Sequence, residues 1–184
     1  MRNLIQDILS YSRLSQSDNI NQLTDLTLLV EEVQDDFELV LEEKKARIIT
    51  EDLPEVEVNR GQMRQVFQNL ISNSLKFADK ERSPLIIIKC ERIDRLSFES
   101  PSQKDGNYYR ITVEDNGIGF EEQYASGIFA LFHRLHSKDL FEGTGIGLAI
   151  TKKIIEKHKG LIKATSKAGT GSSFIFILPA LQIA

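Results

Sequence analysis

Asp115-Asn116-Gly117-Ile118-Gly119-Phe120 and Gly143-Thr144-Gly145-Ile146-Gly147-Leu148-Ala149-Ile150 bracket the stretch on which the reading of this chain turns. Ahead of the first, Tyr109 to Glu114 alternates like a strand, and Gly117 and Gly119 then permit a backbone path that side chains block. That leaves the Asp115 carboxylate at the C-terminal edge of a strand. In the second, Gly143, Gly145 and Gly147 run straight into Leu148 to Ile155, whose apolar residues have amphipathic helical spacing. A glycine-rich turn feeding a helix N-terminus offers unpaired N–H groups to phosphate. Taken singly, each run reads more simply as a change of chain direction; as a pair they have the character of a nucleotide site.

Bulk properties bound the answer. The chain has 184 residues, 41% of them hydrophobic, the size of one domain with a substantial core. Its net charge of -4 and scattered basic residues argue against a nucleic-acid surface, which needs clustered Lys and Arg. The single cysteine, Cys90, follows the apolar run Leu85 to Ile88 and reads as a small buried residue in a reducing compartment. No signal peptide and no apolar run near the roughly 20 residues that span a bilayer is present, so no membrane contact by this chain is expected.

From the N-terminus, Met1, Leu4, Ile8 and Tyr11 fall at heptad spacing, with Ile5 and Leu9 widening the stripe. An isolated helix of about 15 residues is marginal in water, so this segment reads as the end of a longer helix that needs a partner. Residues 17–23 are polar and linker-like. Thr24 and Asp25 then cap a helix carrying Leu26, Leu29, Val30, Val33, Phe37, Val40 and Leu41, expected to run to about Ala46. Arg47 to Glu51 reads as a strand, Pro54 breaks it, and Val56 to Val58 reads as a short partner strand.

The next helix, expected over 60–78, is the most informative. Met63, Val66, Phe67, Leu70, Ile71 and Phe77 form a core face, and Gln65, Asn69, Asn73 and Lys76 form a second stripe beside it. Asparagines are disfavoured inside helices, and a merely solvated face more naturally carries Glu and Lys. Something polar is therefore expected over this stripe. An Asn carbonyl is a hard, neutral oxygen ligand suited to Mg²⁺, and Lys76 lies one turn on, placed to meet phosphates. Downstream, Leu85 to about Glu91 reads as a strand and 97–106 as a long hairpin loop. Residues 121–142, between the two glycine runs, read as a lid with few strong packing signals. His133 and His136 lie within it, with no further ligand nearby to complete a zinc site. Leu161 to Ser166 and Ser173 to Leu178 read as strands joined by a turn at Gly169-Thr170-Gly171.

Together these segments resemble the catalytic and ATP-binding domain of bacterial sensor histidine kinases. Asn69 to Phe77 is similar to the N box of that family, Asp115 to Phe120 to its first glycine box, and Ile128 to Arg134 to its F box. Gly143 to Leu148 is similar to the second glycine box and Gly169 to Gly171 to the last, in family order. Residues 132–143 resemble the lids of phytochrome-like kinases. The likeness covers about residues 24–180. It implies a division into 1–18, the end of the second helix of a dimerisation and phosphotransfer hairpin, and 19–184, the catalytic domain.

The resemblance implies an α/β two-layer sandwich of the Bergerat type, with a mixed, mostly antiparallel sheet and helices on one face. It further implies that Asp115 accepts the adenine amino group, Gly117 and Gly119 let the base approach, and Asn73 ligates Mg²⁺ with Asn69 beside it. Lys76 is then on phosphate, Arg134 reaches the γ-phosphate from the lid, and Gly143, Gly145, Gly147 and Leu148 close on the phosphates. Phe77, Thr144, Ile146 and Thr170 complete the expected nucleotide contacts. The expected cofactors are ATP and Mg²⁺. Expected partners are a phosphoacceptor histidine helix, a response regulator and a second subunit of a homodimeric, cytoplasmic or membrane-anchored parent. Residues 1–20 hold no acceptor histidine. Two other readings are a clamp-type ATPase of the gyrase B, MutL or chaperone kind and a degenerate nucleotide-binding scaffold. The first needs a water-activating Glu where this chain has Asn69, and an amide is no general base.

Overall fold

Two helix caps and one alternating core fix the architecture. The computed structural model describes residues 8–9, 11–12, 21–133 and 143–180. Strand β1 (Gln22–Asp25) leads into helix α1 (Leu26–Asp36), where the Asp25 carboxylate accepts from the N–H groups of Thr27 and Leu28. Helix α2 (Glu38–Lys44) follows after Phe37, and strands β2 (Arg47–Thr50) and β3 (Glu55–Val58) precede helix α3 (Arg60–Lys76), capped by Asn59. Strands β4 (Leu85–Ile93) and β5 (Tyr108–Asp115), a 3₁₀ turn (Glu122–Tyr124), helix α4 (Gly147–Lys157) and strands β6 (Leu161–Lys167) and β7 (Gly171–Pro179) complete the fold.

The five-stranded sheet has the order β2-β4-β5-β7-β6. Only the β2–β4 pair is parallel, so the sheet is mixed and mostly antiparallel. In register, Ile86 and Ile88 of β4, Ile111 and Val113 of β5, and Phe174 and Phe176 of β7 share one face. These residues form one buried core with Met63, Val66, Phe67, Leu70 and Ile71 of α3 and Ile150, Ile154 and Ile155 of α4. The opposite face mixes Ile87, Ile175 and Ile177 with polar residues and carries the ion pairs Lys89–Glu114 and Arg110–Glu91. The two-layer α/β expectation therefore describes this domain.

Four local expectations differ. The helix expected from Thr24 to Ala46 is interrupted at Phe37, whose φ of -105° and ψ of 5° leave the helical basin. Two acidic residues, Asp35 and Asp36, end α1, where the helix dipole disfavours negative charge. The polar stretch before Thr24 holds the start of β1, which pairs with β3, so the partner of Val56 to Val58 is residues 22–25 and not the 47–50 strand. Phe77 is half-buried at the C-cap of α3 and not part of the core, and Cys90 is only half-buried. Burial and the neighbouring Glu91 and Glu51 push the Cys90 thiol up to about 12, which leaves it an unreactive neutral group.

Of the N-terminal stripe, Tyr11 packs partly against the core. The Lys153 ammonium of α4 sits 4.0 Å from the centre of the Tyr11 ring and donates to its carbonyl at 3.3 Å. Met1, Leu4 and Ile5 lie outside the described residues, as do Arg134 and His136. Within the expected lid, Ile128 and Phe129 are buried, so its first half carries more packing than its sequence showed.

Candidate nucleotide site

The two glycine runs and the polar stripe of α3 meet in one cleft of about 310 Å³. Its walls are Gln65, Asn69, Asn73, Lys76 and Phe77 from α3, Asp115, Gly119 and Phe120 around the end of β5, and Gly143, Thr144, Gly145, Gly147 and Leu148 ahead of and within α4. Ser72, Ile128, His133, Ile150, Ser172 and Phe174 fill the remaining lining. The cleft thus lies between the helical layer and the C-terminal end of β5.

Asp115 is held at the floor. Its Oδ1 accepts from the main-chain N–H of Gly117 at 2.9 Å and of Ser172 at 3.2 Å, and its Oδ2 accepts from the Ser74 hydroxyl at 3.2 Å. Burial raises the carboxyl above the usual Asp range, while these three donors act in the opposite direction by stabilising the anion. The glycines around it allow close packing of main chains. A Cβ on Gly117 would stand 2.5 Å from the Phe77 carbonyl oxygen, and one on Gly171 would stand 1.9 Å from that of Asp115. Gly117 therefore shapes the turn against the C-cap of α3 rather than lining the cleft.

The two asparagines of α3 have different surroundings. Asn69 donates its amide to the Gly147 carbonyl at 3.0 Å and the Thr151 hydroxyl at 3.3 Å, tying α3 to the first turn of α4. The side chain of Asn73, one turn on, makes no hydrogen bond to the described residues and borders the cleft. The Lys76 ammonium lies 4.6 Å from the centre of the Phe77 ring, and a Cβ on Gly143 would come within 2.6 Å of it. Lys76 thus reaches across to the second glycine run. Gly143 and Gly145 have φ of 150° and 73°, conformations in which the chain approaches α4 without side chains in the way. The Gly145 carbonyl accepts from the Phe132 N–H at 3.1 Å, which ties the loop to the residues before it.

Two expected contacts fall elsewhere. Thr170 sits in the β6–β7 turn and lines a shallow groove on the other side of Asp115 with Asn116 and Lys167. Ile146 is fully buried, so its side chain belongs to the core beneath the loop. Ser74 and Ser172, which hold the carboxylate, were not singled out from sequence. Ser74 lies next to Asn73 on the side of α3 that turns into the fold, where a small polar residue is a signal of an internal hydrogen bond.

Such a cleft offers a charged acceptor at one end, helix N–H groups and an ammonium at the other, and a neutral amide oxygen between. Residues 58–182 match the family described as histidine kinase-, DNA gyrase B-, and HSP90-like ATPases. The chain belongs to this family. It is 40% identical over 179 residues to phytochrome-like protein Cph1 of Synechocystis sp., covering 97% of this chain and 22% of that protein. It is 35% identical over 181 residues to the sensor-like histidine kinase ycf26 of Porphyra purpurea, covering 95% of this chain and 27% of that one. The catalytic domain of histidine kinase ThkA superposes with a TM-score of 0.69 at 27% identity, covering 88% of this chain and 97% of that one. The chain therefore spans between about a fifth and just over a quarter of the length of these curated relatives. Its Bergerat-type architecture, mixed sheet beneath helices, is that of its family.

Proposed function

We propose that this domain binds Mg-ATP and presents the γ-phosphoryl group to a histidine on a helix of the same parent protein, upstream of the domain. The observation that carries the reading is the convergence of Asp115, Asn73, Lys76 and the N-terminus of α4 on one cleft. Asp115 accepts the adenine amino group, and the N–H groups of the 143–147 loop and of α4 receive phosphate oxygens. Lys76 adds positive charge from the opposite wall. The residues present fit a magnesium ion, because Asn73 borders the cleft with its amide unengaged among the described residues. Mg²⁺ supplies charge neutralisation on the phosphates when bound. Arg134, the proposed contact to the γ-phosphate, lies outside the described residues.

Transfer rather than hydrolysis is favoured by the state of Asn69, whose nitrogen is committed to Gly147 and Thr151 and which offers no base for water. The nucleophile then comes from a histidine helix, and residues 1–18 are assigned to the end of the hairpin that bears it, with 19–184 as catalytic domain. The contact of Tyr11 with Lys153 supports this, since α4 is the helix that starts at the phosphate end of the cleft. The parent is a homodimeric, phosphorelay-type kinase with a response regulator as its downstream partner, acting in the cytoplasm. Among the described residues no helix is long and apolar enough to cross a membrane.

Calorimetry with ATP and GTP in the presence of Mg²⁺ tests the binding half of this reading. Guanine places a carbonyl where adenine places its amino donor, and facing a carboxylate this costs about 3 kcal/mol, roughly a hundredfold in affinity. Equal affinity for the two nucleotides removes the role given to Asp115.

A further inference from the structure

The hydrogen bonds of Asp115 are unevenly divided between its two oxygens. Among the described residues, Oδ1 accepts from two main-chain N–H groups, those of Gly117 and Ser172, whereas Oδ2 accepts only from Ser74. A carboxylate oxygen has about two lone-pair sites in the carboxylate plane. Oδ1 is therefore saturated by the protein, and Oδ2 keeps one site for a further donor. Asp115 itself lines the cleft, so Oδ2 is the atom left to receive a base.

We infer that Ser74 is a positioning residue for the nucleobase: its hydroxyl fixes the orientation of Oδ2 and thereby sets the discrimination between adenine and purines without a 6-amino group. The inference rests on the proposed ATP binding and assigns to a buried side chain of α3 a part of its selectivity. Ser74 is 3% exposed, and Asp115 is the only partner its side chain has among the described residues. The hydroxyl donates, because an ionised carboxylate only accepts. The carboxylate is a rigid plane, so rotation about the Cβ–Cγ bond is restrained at both oxygens; without Ser74 it loses the restraint at Oδ2, and a second acceptor site opens on that oxygen for water or a differently placed donor. The same bond joins the two halves of the site. Ser74 follows Asn73 on α3 and Asp115 ends β5, so it links the helix carrying the magnesium candidate directly to the strand end carrying the base acceptor. Displacement of α3 along the sheet would stretch this bond.

The test is calorimetry on the 184-residue chain with Mg-ATP and with the triphosphate of purine riboside, which lacks only the 6-amino group. Parent, Ser74→Ala, Ser74→Thr and Asp115→Ala are compared, with thermal melts of each. The parent is expected to favour ATP, Ser74→Ala to lose about tenfold of that preference, and Ser74→Thr, which keeps the hydroxyl, to restore most of it. Affinity for purine riboside triphosphate should change little in Ser74→Ala, because the lost interaction involves only the amino group. An unchanged ATP preference in Ser74→Ala overturns the inference, as does an equal loss of affinity for both ligands, which marks Ser74 as a packing residue. Absence of ATP binding by the parent overturns the functional reading itself and is recognisable before any variant is measured.

Discussion

Asn69 and Asn73 are the same residue type, one turn apart on one helix face, and their replacement by Ala should have opposite consequences. Asn69→Ala removes the donors to Gly147 at 3.0 Å and Thr151 at 3.3 Å. The Gly147 carbonyl still accepts from the Thr151 hydroxyl at 3.0 Å, so the loss is that of two modest hydrogen bonds without a fully orphaned acceptor. Its cost is about 1–2 kcal/mol, and for a domain of this size that lowers the melting temperature by about 2–8 °C. Asn73→Ala removes no hydrogen bond to the described residues and replaces a poor helix former by the best one, so the melting temperature stays within about 2 °C of the parent. With Mg-ATP the order reverses. At a hundredfold excess over Kd the parent gains about 2.7 kcal/mol, equivalent to about 5–11 °C. Asn69→Ala should keep the greater part of that gain, and Asn73→Ala should lose most of its magnesium-dependent share. Thermal melts of the three proteins with nucleotide alone, and with nucleotide plus Mg²⁺, read both effects at once. An Asn73→Ala protein that melts as low as Asn69→Ala, or one that retains the full magnesium-dependent gain, refutes the division of roles.

Further outcomes follow from the site's supports. His158, 1% exposed, donates from Nδ1 to the Ile154 carbonyl at 2.8 Å and accepts at Nε2 from the Asn59 N–H at 3.0 Å, holding the end of α4 on the cap of α3. Burial lowers its pKa below the usual 6.5, so the unfolded chain takes up a proton in a range where the folded one does not. Stability should therefore be level above pH 6.5 in this respect and fall by up to about 1.4 kcal/mol per pH unit below it, down to the folded pKa. His158→Phe should be less stable by about 1–3 kcal/mol at pH 7.5 because the Asn59 N–H loses its partner, and denaturant melts from pH 7.5 to 5 should show its pH slope absent. Gly171→Ala forces a Cβ to 1.9 Å from the Asp115 carbonyl oxygen at a φ of 132°, and should cost at least about 3 kcal/mol in urea melts. Gly169→Ala, at a φ of 77° with open space around it, should cost only about 1 kcal/mol.

Residues whose partners are near in sequence, or whose spacing repeats, were legible without a structure. The 3.6-residue period separated the core face of α3 from the Asn69, Asn73 and Lys76 stripe, and both glycine runs announced their turns. What escaped depended on long-range partners. Residues 22–25 form a strand because residues 55–58 lie beside them, and four residues that include Gln22 and Asp25 have no strand signature of their own. The interruption at Phe37 involves neither Gly nor Pro, so no breaker residue in the sequence marks it. Ile128 and Phe129 open an apolar run, Ile128 to Phe132, that read as a helix-like piece inside a lid, and the core they join is built by distant elements. Ser74 and His158 act through contacts 41 and 99 residues away, and no local pattern announces such pairs.

Phosphoryl transfer tests the central claim most directly. The chain alone, and the chain fused to a dimerising helical hairpin that bears a phosphoacceptor histidine, are incubated with γ-labelled Mg-ATP, and the label is followed on protein and as free phosphate. The fused protein should acquire an acid-labile, base-stable label on the histidine of the added helix, while the chain alone binds ATP and neither labels itself nor releases phosphate rapidly. Stable label on the chain alone, or fast ATP hydrolysis by it, would contradict the account and point to a clamp-type ATPase instead.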